Sequence, residues 1–143
     1  MDQYDCLKIE NQLCFPLYAC AKEIVRKYKP LLDRLNLTYT QYITMMILWD
    51  KKETNVKDLG RSLYLDSGTL TPLLKKLEQK GYIQRRRSDV DERNLIVTIT
   101  PEGEQLREEA LSVPPEMAKC MDLSEAEFSQ LYQLLYKILN RVG

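Results

Sequence analysis

The four cysteines of this 143-residue chain, at positions 6, 14, 20 and 120, are the side chains most suited to chemistry. Cys14 lies in the segment ENQLCFPLYAC, between large apolar residues and two positions before Pro16. A cysteine in this setting can be a core residue, a metal ligand, half of a disulfide or a reactive thiol. No two cysteines have CxxC spacing, and the sequence contains no histidine. We therefore expect no zinc site and no histidine-based catalysis.

The start and the hydropathy of the chain favour a cytoplasmic protein. Its first residues, MDQYDCLKIE, have neither the basic nor the apolar part of a secretory signal. The longest apolar run, residues 42–49, is too short to cross a bilayer, so no membrane association is expected. Thiols stay reduced by default in the cytosol. No cofactor is predicted.

A net charge of zero conceals a basic segment. Residues 75–87, KKLEQKGYIQRRR, contain six cations and one anion, whereas residues 101–143 contain four cations and eight anions. A basic run is usually a solvated surface. It indicates a polyanion site only if the fold can present it to a partner.

The N-terminal third has the period of a helix. Apolar residues recur at intervals of three and four over residues 7–34. Pro16 lacks a backbone donor and would clash with the preceding turn if it lay inside the helix. We expect the helix to start close to Asn11 or to bend near Cys14.

Capping patterns predict the next three helices. Thr38 and Gln41 have the spacing of a capping box, for a helix that runs to about residue 50. Asn55 is the predicted N-cap of a short helix over roughly 57–63.

Both ends of the third of these helices are predicted. Asp66 or Ser67 is its predicted N-cap, and Gly81 is suited to terminate it. Pro72 is tolerated best in or near a first turn, which favours this start.

The pattern then changes to that of strands. YIQRRRS (82–88) and NLIVTIT (94–100) flank the polar sequence DVDER, which predicts a β-hairpin. The sequence TPE from residue 100 starts another helix, and SVPPE (112–116) breaks it. Cys120 falls in a short segment between helices, and Ser124 with Glu127 caps the last helix.

The order of these elements predicts a mainly α fold with a small β-hairpin wing, a winged helix-turn-helix with additional helices at both ends. We divide the chain into residues 1–36, an N-terminal dimerisation and sensing helix; 37–100, the DNA-binding region; and 101–143, C-terminal dimerisation helices. All three belong to one structural domain.

The basic segment now has a structure that can present it to double-stranded DNA. The start of a recognition helix reaches base edges in the major groove, and nearby cations contact phosphates. The predicted base-facing residues are Ser67, Thr69 and Thr71, and the predicted phosphate contacts are Lys75, Lys76, Arg85 and Arg86.

The last helix is more apolar than packing against one surface requires. Its apolar residues recur at intervals of three and four, namely Phe128, Leu131, Leu135, Ile138 and Val142. Ordinary core packing is one interpretation, but a homodimer interface is favoured at the end of a chain. A two-fold dimer would present two recognition helices to a palindromic operator.

The sequence resembles the MarR-type winged-helix repressors, and in particular their organic-hydroperoxide-sensing (OhrR-like) branch. The wider family is marked by LDSGTLTPLLKKLE and by the DER of the wing, and the sensing branch by QLCFPLY with LTYTQY. The matching stretches cover residues 11–100 in order. The resemblance implies a dimeric transcriptional repressor, not an enzyme.

The resemblance also implies roles for the thiol and its surroundings. Cys14 would react as a thiolate with an organic hydroperoxide and become a sulfenic acid, after which the protein leaves its operator. Tyr28 and Tyr39 of the partner subunit would donate hydrogen bonds to the sulfur, with Phe15 and Tyr18 also in the thiol pocket.

Three further residues take their interpretation from the same resemblance. Cys120 lies about where two-cysteine members place a resolving cysteine, although a free cysteine in a loop is the simpler interpretation. Arg93 matches a wing-tip arginine inserted into the minor groove, oriented by Asp91. Replacing Arg93 by alanine should weaken DNA binding by about 1–3 kcal/mol. Cys6 and Cys20 are interpreted as incidental.

Three other functions remain open from the sequence. The first is a repressor of the same fold that is relieved by a small aromatic or phenolic ligand, with Cys14 as a core residue. The second is a thiol peroxidase, which the lack of a thioredoxin-like pattern disfavours. The third is a protein-interaction module whose basic wing binds an acidic partner.

Overall fold

The computed structural model describes residues 2–91 and 94–143. Within this part of the chain, seven α-helices accompany one three-stranded sheet, which confirms the predicted fold class. The helices are α1 (Cys14–Asp33), α2 (Tyr39–Lys51), α3 (Val56–Leu63), α4 (Ser67–Gln79), α5 (Pro101–Ala110), α6 (Val113–Met121) and α7 (Glu125–Val142). The strands are β1 (Glu53–Asn55), β2 (Ile83–Arg87) and β3 (Leu95–Ile99). None of the described helices combines the length and apolar character of a membrane span.

The first long helix begins at Cys14 itself. Two short 3₁₀ turns precede it, at Asp5–Leu7 and Ile9–Asn11. Pro16 therefore lies in the first turn of α1, where a missing backbone donor costs no intrahelical hydrogen bond. The helix starts three residues later than the predicted position near Asn11.

The predicted caps of the helix-turn-helix are confirmed. Thr38 and Gln41 form the reciprocal capping box of α2. The side chains of Asn55 and Asp66 accept hydrogen bonds from the first turns of α3 and α4. Gly81 follows α4 with a φ of +84°, a conformation that glycine adopts without strain.

Pro72 lies just past the first turn of α4, at the distance from the cap that the predicted start at Asp66 implied. It is the sixth residue of α4 and therefore lies in the second turn rather than the first. The helix continues through it to Gln79 with one backbone donor fewer.

The hairpin pairs β2 with β3 in the register Ile83↔Ile99 to Arg87↔Leu95. β1, which was not predicted, adds to the other side of β3 and gives the strand order β1-β3-β2. Three residues are too few to show a period of two in sequence.

The core joins the helix-turn-helix to the wing. Leucines on one face of α4 pack with residues of α2, α3 and both hairpin strands, and the fully buried side chains include Leu70, Leu74, Leu77, Met45, Leu48, Leu59, Ile83 and Val97. The indole Nε1 of Trp49 donates to the carbonyl oxygen of Gly103 at 2.8 Å, which ties α5 to α2. By contrast, α7 has no buried residue.

Cys120 occupies a different structure from the one predicted. α5 ends at Ala110, before SVPPE, but a new helix, α6, begins at Val113 within that sequence. Proline is favoured in the first turn of a helix. Pro114 therefore belongs to the start of α6 and also follows the end of α5. Cys120 is therefore helical, and the expectation of a loop cysteine is wrong.

Candidate thiol site and nucleic-acid interface

Cys14 is the first residue of α1, and its side chain is exposed. The first turn of a helix has backbone N–H groups without intrahelical acceptors, and these groups favour a negative charge nearby.

The apolar residues around Cys14 are not covered by the described part of the chain. Leu13, Phe15 and Tyr18 are 69%, 44% and 65% exposed. Phe15 and Tyr18 thus lie close to the thiol in sequence, as predicted, but they do not enclose it within one protomer.

Tyr28 and Tyr39 come together at the other end of α1. Their ring centroids are 4.9 Å apart, and Tyr42 joins them at 5.7 Å from Tyr28 and 6.4 Å from Tyr39. Tyr42 is buried and was not predicted for the site. Its spacing of three from Tyr39 on the same helix was the available signal.

Burial raises the pKa values of these phenols above that of a free tyrosine. It is the main cause that raises the pKa of Tyr28 and of Tyr39, and the charge of Tyr39 raises the pKa of Tyr28 further. Burial and the two neighbouring phenols raise the pKa of Tyr42 to about 12. The three hydroxyls therefore retain their protons at neutral pH and can serve as hydrogen-bond donors.

The thiol and the tyrosines of one protomer lie far apart. Cys14 and Tyr28 are separated by fourteen residues of α1, about 21 Å at the helical rise. A contact between the Cys14 sulfur and the Tyr28 hydroxyl consequently requires a second chain.

Cys120 lies on the exposed surface of α6, which packs against α1. Arg34 and Glu116 form an ion pair of 3.5 Å across the two helices. Cys6 and Cys20 are also exposed and free. Within residues 2–91 and 94–143, no group of histidine, cysteine, aspartate and glutamate side chains is arranged to hold a metal ion.

The start of α4 presents the predicted base-reading residues. Ser67, Thr69 and Thr71 are exposed, as are Lys75 and Lys76 further along the helix. The opposite face carries the buried leucines, so the core fixes which side of α4 is available. Hydroxyls followed by cations on one exposed helix can contact bases and phosphates.

Arg85 is engaged within the protein. Its Nη2 and Nε donate to Oε1 of Glu78 at 2.9 and 3.3 Å, and its backbone N–H donates to Oε2 at 3.0 Å. The hydrogen bond from Arg85 lowers the pKa of Glu78. With its side chain only 18% exposed, Arg85 stabilises the connection between α4 and β2 and is poorly placed for the predicted phosphate contact.

Arg86 also has an acidic partner but remains accessible. Its Nη2 lies 2.8 Å from Oε1 of Glu53 on β1, and its side chain is 55% exposed. Arg86 therefore remains accessible for the predicted phosphate contact, and Glu53 holds its guanidinium in place.

At the wing tip, Asp91 is exposed, and its carbonyl oxygen accepts from the backbone N–H of Asn94 at 2.9 Å. Arg93 lies outside the described residues, and with it the predicted contact between Asp91 and Arg93.

The helix α7 exposes a broad apolar surface. The ring of Tyr132 lies 5.9 Å from that of Phe128 and 4.7 Å from that of Tyr136. Leu131, Leu134 and the other large side chains of the helix are at least partly exposed. An apolar surface of this extent is characteristic of a subunit interface.

Comparisons with known proteins agree with this architecture. The family described as "Transcriptional regulator SarA/Rot" matches residues 26–110. The chain is 46% identical over 138 residues to the organic hydroperoxide resistance transcriptional regulator of Bacillus subtilis strain 168, covering 96% of this chain and 94% of that protein.

The solved structures of AbfR, a protein of Staphylococcus epidermidis, are also similar. Reduced AbfR bound to DNA has a TM-score of 0.78 at 33% identity, covering 95% of this chain and 96% of that one. Disulfide-formed AbfR has a TM-score of 0.68 at 33% identity, covering 96% of each chain.

Proposed function

Because the chain belongs to the SarA/Rot group of MarR-type winged-helix transcriptional regulators, we propose that it is a homodimeric repressor that leaves a palindromic operator when an organic hydroperoxide oxidises Cys14. It would act in the cytoplasm, on double-stranded DNA. Each thiol is consumed by the peroxide that it detects, so the protein is a sensor and not an enzyme.

The observation that carries this proposal is the arrangement along α1. An exposed thiol begins the helix, and a pair of protonated phenols lies near its other end, about 21 Å away. A two-fold axis that crosses two antiparallel copies of α1 near Ala21 would bring Cys14 of each protomer next to Tyr28 of its partner. The exposed apolar surface of α7 supplies further contact area for such a dimer.

The chemistry of the thiol follows from this pocket. The Cys14 thiolate attacks one oxygen of the hydroperoxide, an S–O bond forms, and the O–O bond breaks. Sulfur loses two electrons to become a sulfenic acid. The peroxide is reduced to an alkoxide, which takes a proton from water or a phenol and leaves as an alcohol. Phenol donors would stabilise the thiolate before this step and the sulfenic acid after it.

The apolar residues near the thiol favour organic peroxides. Phe15 and Leu17 lie within one turn of Cys14 on α1, and Ile24 lies about 15 Å further along the same helix; a partner subunit would close them into an apolar wall. An alkyl or aryl group gains contact there, whereas hydrogen peroxide does not. We therefore propose that cumene hydroperoxide oxidises Cys14 faster than hydrogen peroxide does.

DNA release requires a change in the placement of the two recognition helices. In a dimer, two copies of α4 must lie about 34 Å apart to enter successive major grooves on one face of the duplex. Oxidation next to the dimer-forming helices would alter that spacing or the rotation of α4. The exposed hydroxyls and lysines of α4 would then lose their register on the operator.

Fluorescence anisotropy with a labelled duplex from the protein's own upstream DNA tests the proposal. The reduced wild type should bind in a salt-dependent manner and dissociate after cumene hydroperoxide is added. Cys14→Ser should bind when reduced and stay bound after the peroxide. Cys20→Ser, an exposed cysteine on the same helix, should respond like the wild type. Dissociation of Cys14→Ser by the peroxide would refute the sensing role.

A further inference from the structure

Lys80, the residue that follows α4, contacts the turn between α1 and α2. Its Nζ donates to the backbone carbonyl oxygen of Asn36 at 2.5 Å and to Oε1 of Gln41 at 3.0 Å. Its backbone N–H donates to the carbonyl oxygen of Lys76 within α4. Lys80 therefore ties the end of the proposed DNA-reading helix to the helices that carry the thiol and the tyrosines.

Gln41 is the central residue of this junction. Its side chain is 3% exposed, and Oε1 also accepts from the backbone N–H of Thr38 at 3.0 Å. The same amide oxygen thus closes the capping box of α2 and binds Lys80. Tyr39, the first residue of α2, belongs to this same turn.

The junction resists separation for electrostatic reasons. Lys80 is partly buried, and burial is the main cause that lowers its pKa, with the charge of Lys76 as the second cause. An ammonium with reduced access to water depends on its protein acceptors, and Asn36 and Gln41 supply them. Moving the first turn of α2 away from α4 would break the hydrogen bonds of Lys80 to Asn36 and Gln41.

We propose that the junction of Lys80 with Gln41 and Asn36 couples the chemical state of the partner's sulfur to the position of α4. The inference rests on the proposed function. When Tyr39 rearranges around an oxidised sulfur, the first turn of α2 shifts, and the acceptors of Lys80 shift with it. Lys80 then moves the end of α4, so it is a positioning residue that acts through the helix.

The test compares three variants with the wild type. Lys80→Met removes the ammonium and both of its hydrogen bonds while keeping a side chain of similar length, and Lys80→Arg retains a charged donor. Lys29→Met is the matched control, because Lys29 is an exposed lysine of α1 that binds Asp33 of its own helix at 3.1 Å. Operator affinity is measured by anisotropy before and after cumene hydroperoxide, and oxidation of Cys14 is followed by the loss of its alkylation.

Lys80→Met should bind the operator within about threefold of the wild type when reduced, and its ratio of oxidised to reduced Kd should be at least about fivefold smaller than that of the wild type. Cys14 should be oxidised at the wild-type rate, which separates coupling from sensing. Lys80→Arg and Lys29→Met should keep the wild-type ratio.

Two results would overturn the inference alone. One is a ratio of oxidised to reduced Kd in Lys80→Met that equals the wild-type ratio. The other is a loss of both melting temperature and reduced-state binding in Lys80→Met and Lys80→Arg alike, which would assign Lys80 a purely structural role. A wild type that stays on DNA after Cys14 is oxidised would instead refute the proposed function, and the inference with it.

Discussion

The rings of Tyr28 and Tyr39 lie with their centroids 4.9 Å apart and their planes tilted by 50°. One ring belongs to α1 and the other to the first residue of α2, so the pair joins the two helices, next to the contact of Tyr28 with Tyr42. Burial raises the pKa of both phenols, which leaves two neutral donors at neutral pH. A thiolate presented by a partner subunit would meet donors from both helices at once.

Replacing either tyrosine by phenylalanine should slow the oxidation of Cys14. Each change removes a hydroxyl and keeps the ring, so it removes a donor without opening a large cavity. A hydrogen bond to a charged group contributes about 1.5 kcal/mol or more, which corresponds to about a tenfold slower reaction. Stopped-flow measurement with cumene hydroperoxide gives the rate. Tyr4→Phe, at an exposed tyrosine, should leave it unchanged.

Stability should fall at alkaline pH because of Tyr42. Its pKa is raised to about 12 in the folded protein and is about 10 in an unfolded chain. The stabilisation is fully present below pH 10 and is lost as pH rises from about 10 to 12, because only the unfolded state releases the proton in that range. Urea denaturation at pH 9 and pH 11 measures the difference, which should be smaller in Tyr42→Phe. An equal difference in Tyr42→Phe and wild type would show that another group is responsible.

Lys75 and Arg85 should differ in their effect on the salt dependence of DNA binding. Lys75→Ala should reduce the slope of log K against log salt by about 1, because an exposed lysine on α4 can neutralise one phosphate. Arg85→Ala should leave the slope unchanged, since the guanidinium is already bound to Glu78.

The loss of Arg85 should appear in thermal unfolding instead, as a decrease of about 1 kcal/mol in the free energy of unfolding. A reduced salt slope in Arg85→Ala would place Arg85 among the phosphate contacts after all.

Cys120 should resolve the oxidised thiol by forming a disulfide with Cys14 of the partner subunit. Peroxide treatment of the wild type should then give a covalent dimer on non-reducing gels that dithiothreitol reverses. Cys120→Ser should lose this band, because the disulfide needs both sulfurs. Cys20→Ser should keep it. If the band persists in Cys120→Ser, another cysteine is the resolving partner.

Most of the helix boundaries were predictable because capping is a local property. The capping boxes at Thr38 and Ser124 and the N-caps at Asn55 and Asp66 each depend on residues within one turn. The hairpin was predictable for the same reason, from β-branched runs on both sides of a polar tip. The resemblance to the peroxide-sensing MarR branch is confirmed by the 46% identity to the Bacillus subtilis regulator.

The features that were missed depend on contacts distant in sequence. β1 has three residues and exists because it pairs with β3, more than forty positions later. Lys80 meets Asn36 and Gln41 across the fold, so no local pattern marks this contact, although Gln41 itself was predicted in the capping box of α2. In the sequence, Arg85 is one cation of a basic run and has no evident partner. In the structure, the turn after α4 brings it into an ion pair with Glu78.

The sequence by itself determined the capped helices, the hairpin and the exposed face of α4, because short-range periodicity and capping encode these features. It pointed to Cys14 through the resemblance to the OhrR-like branch. The tertiary structure decided that Cys14 begins a helix, that three phenols from two helices form one cluster, and that Cys14 and Tyr28 of one chain are too far apart to touch. Those relationships arise from packing between segments. Burial in that packing raises the pKa of the phenols, and distance decides which side chains are in contact.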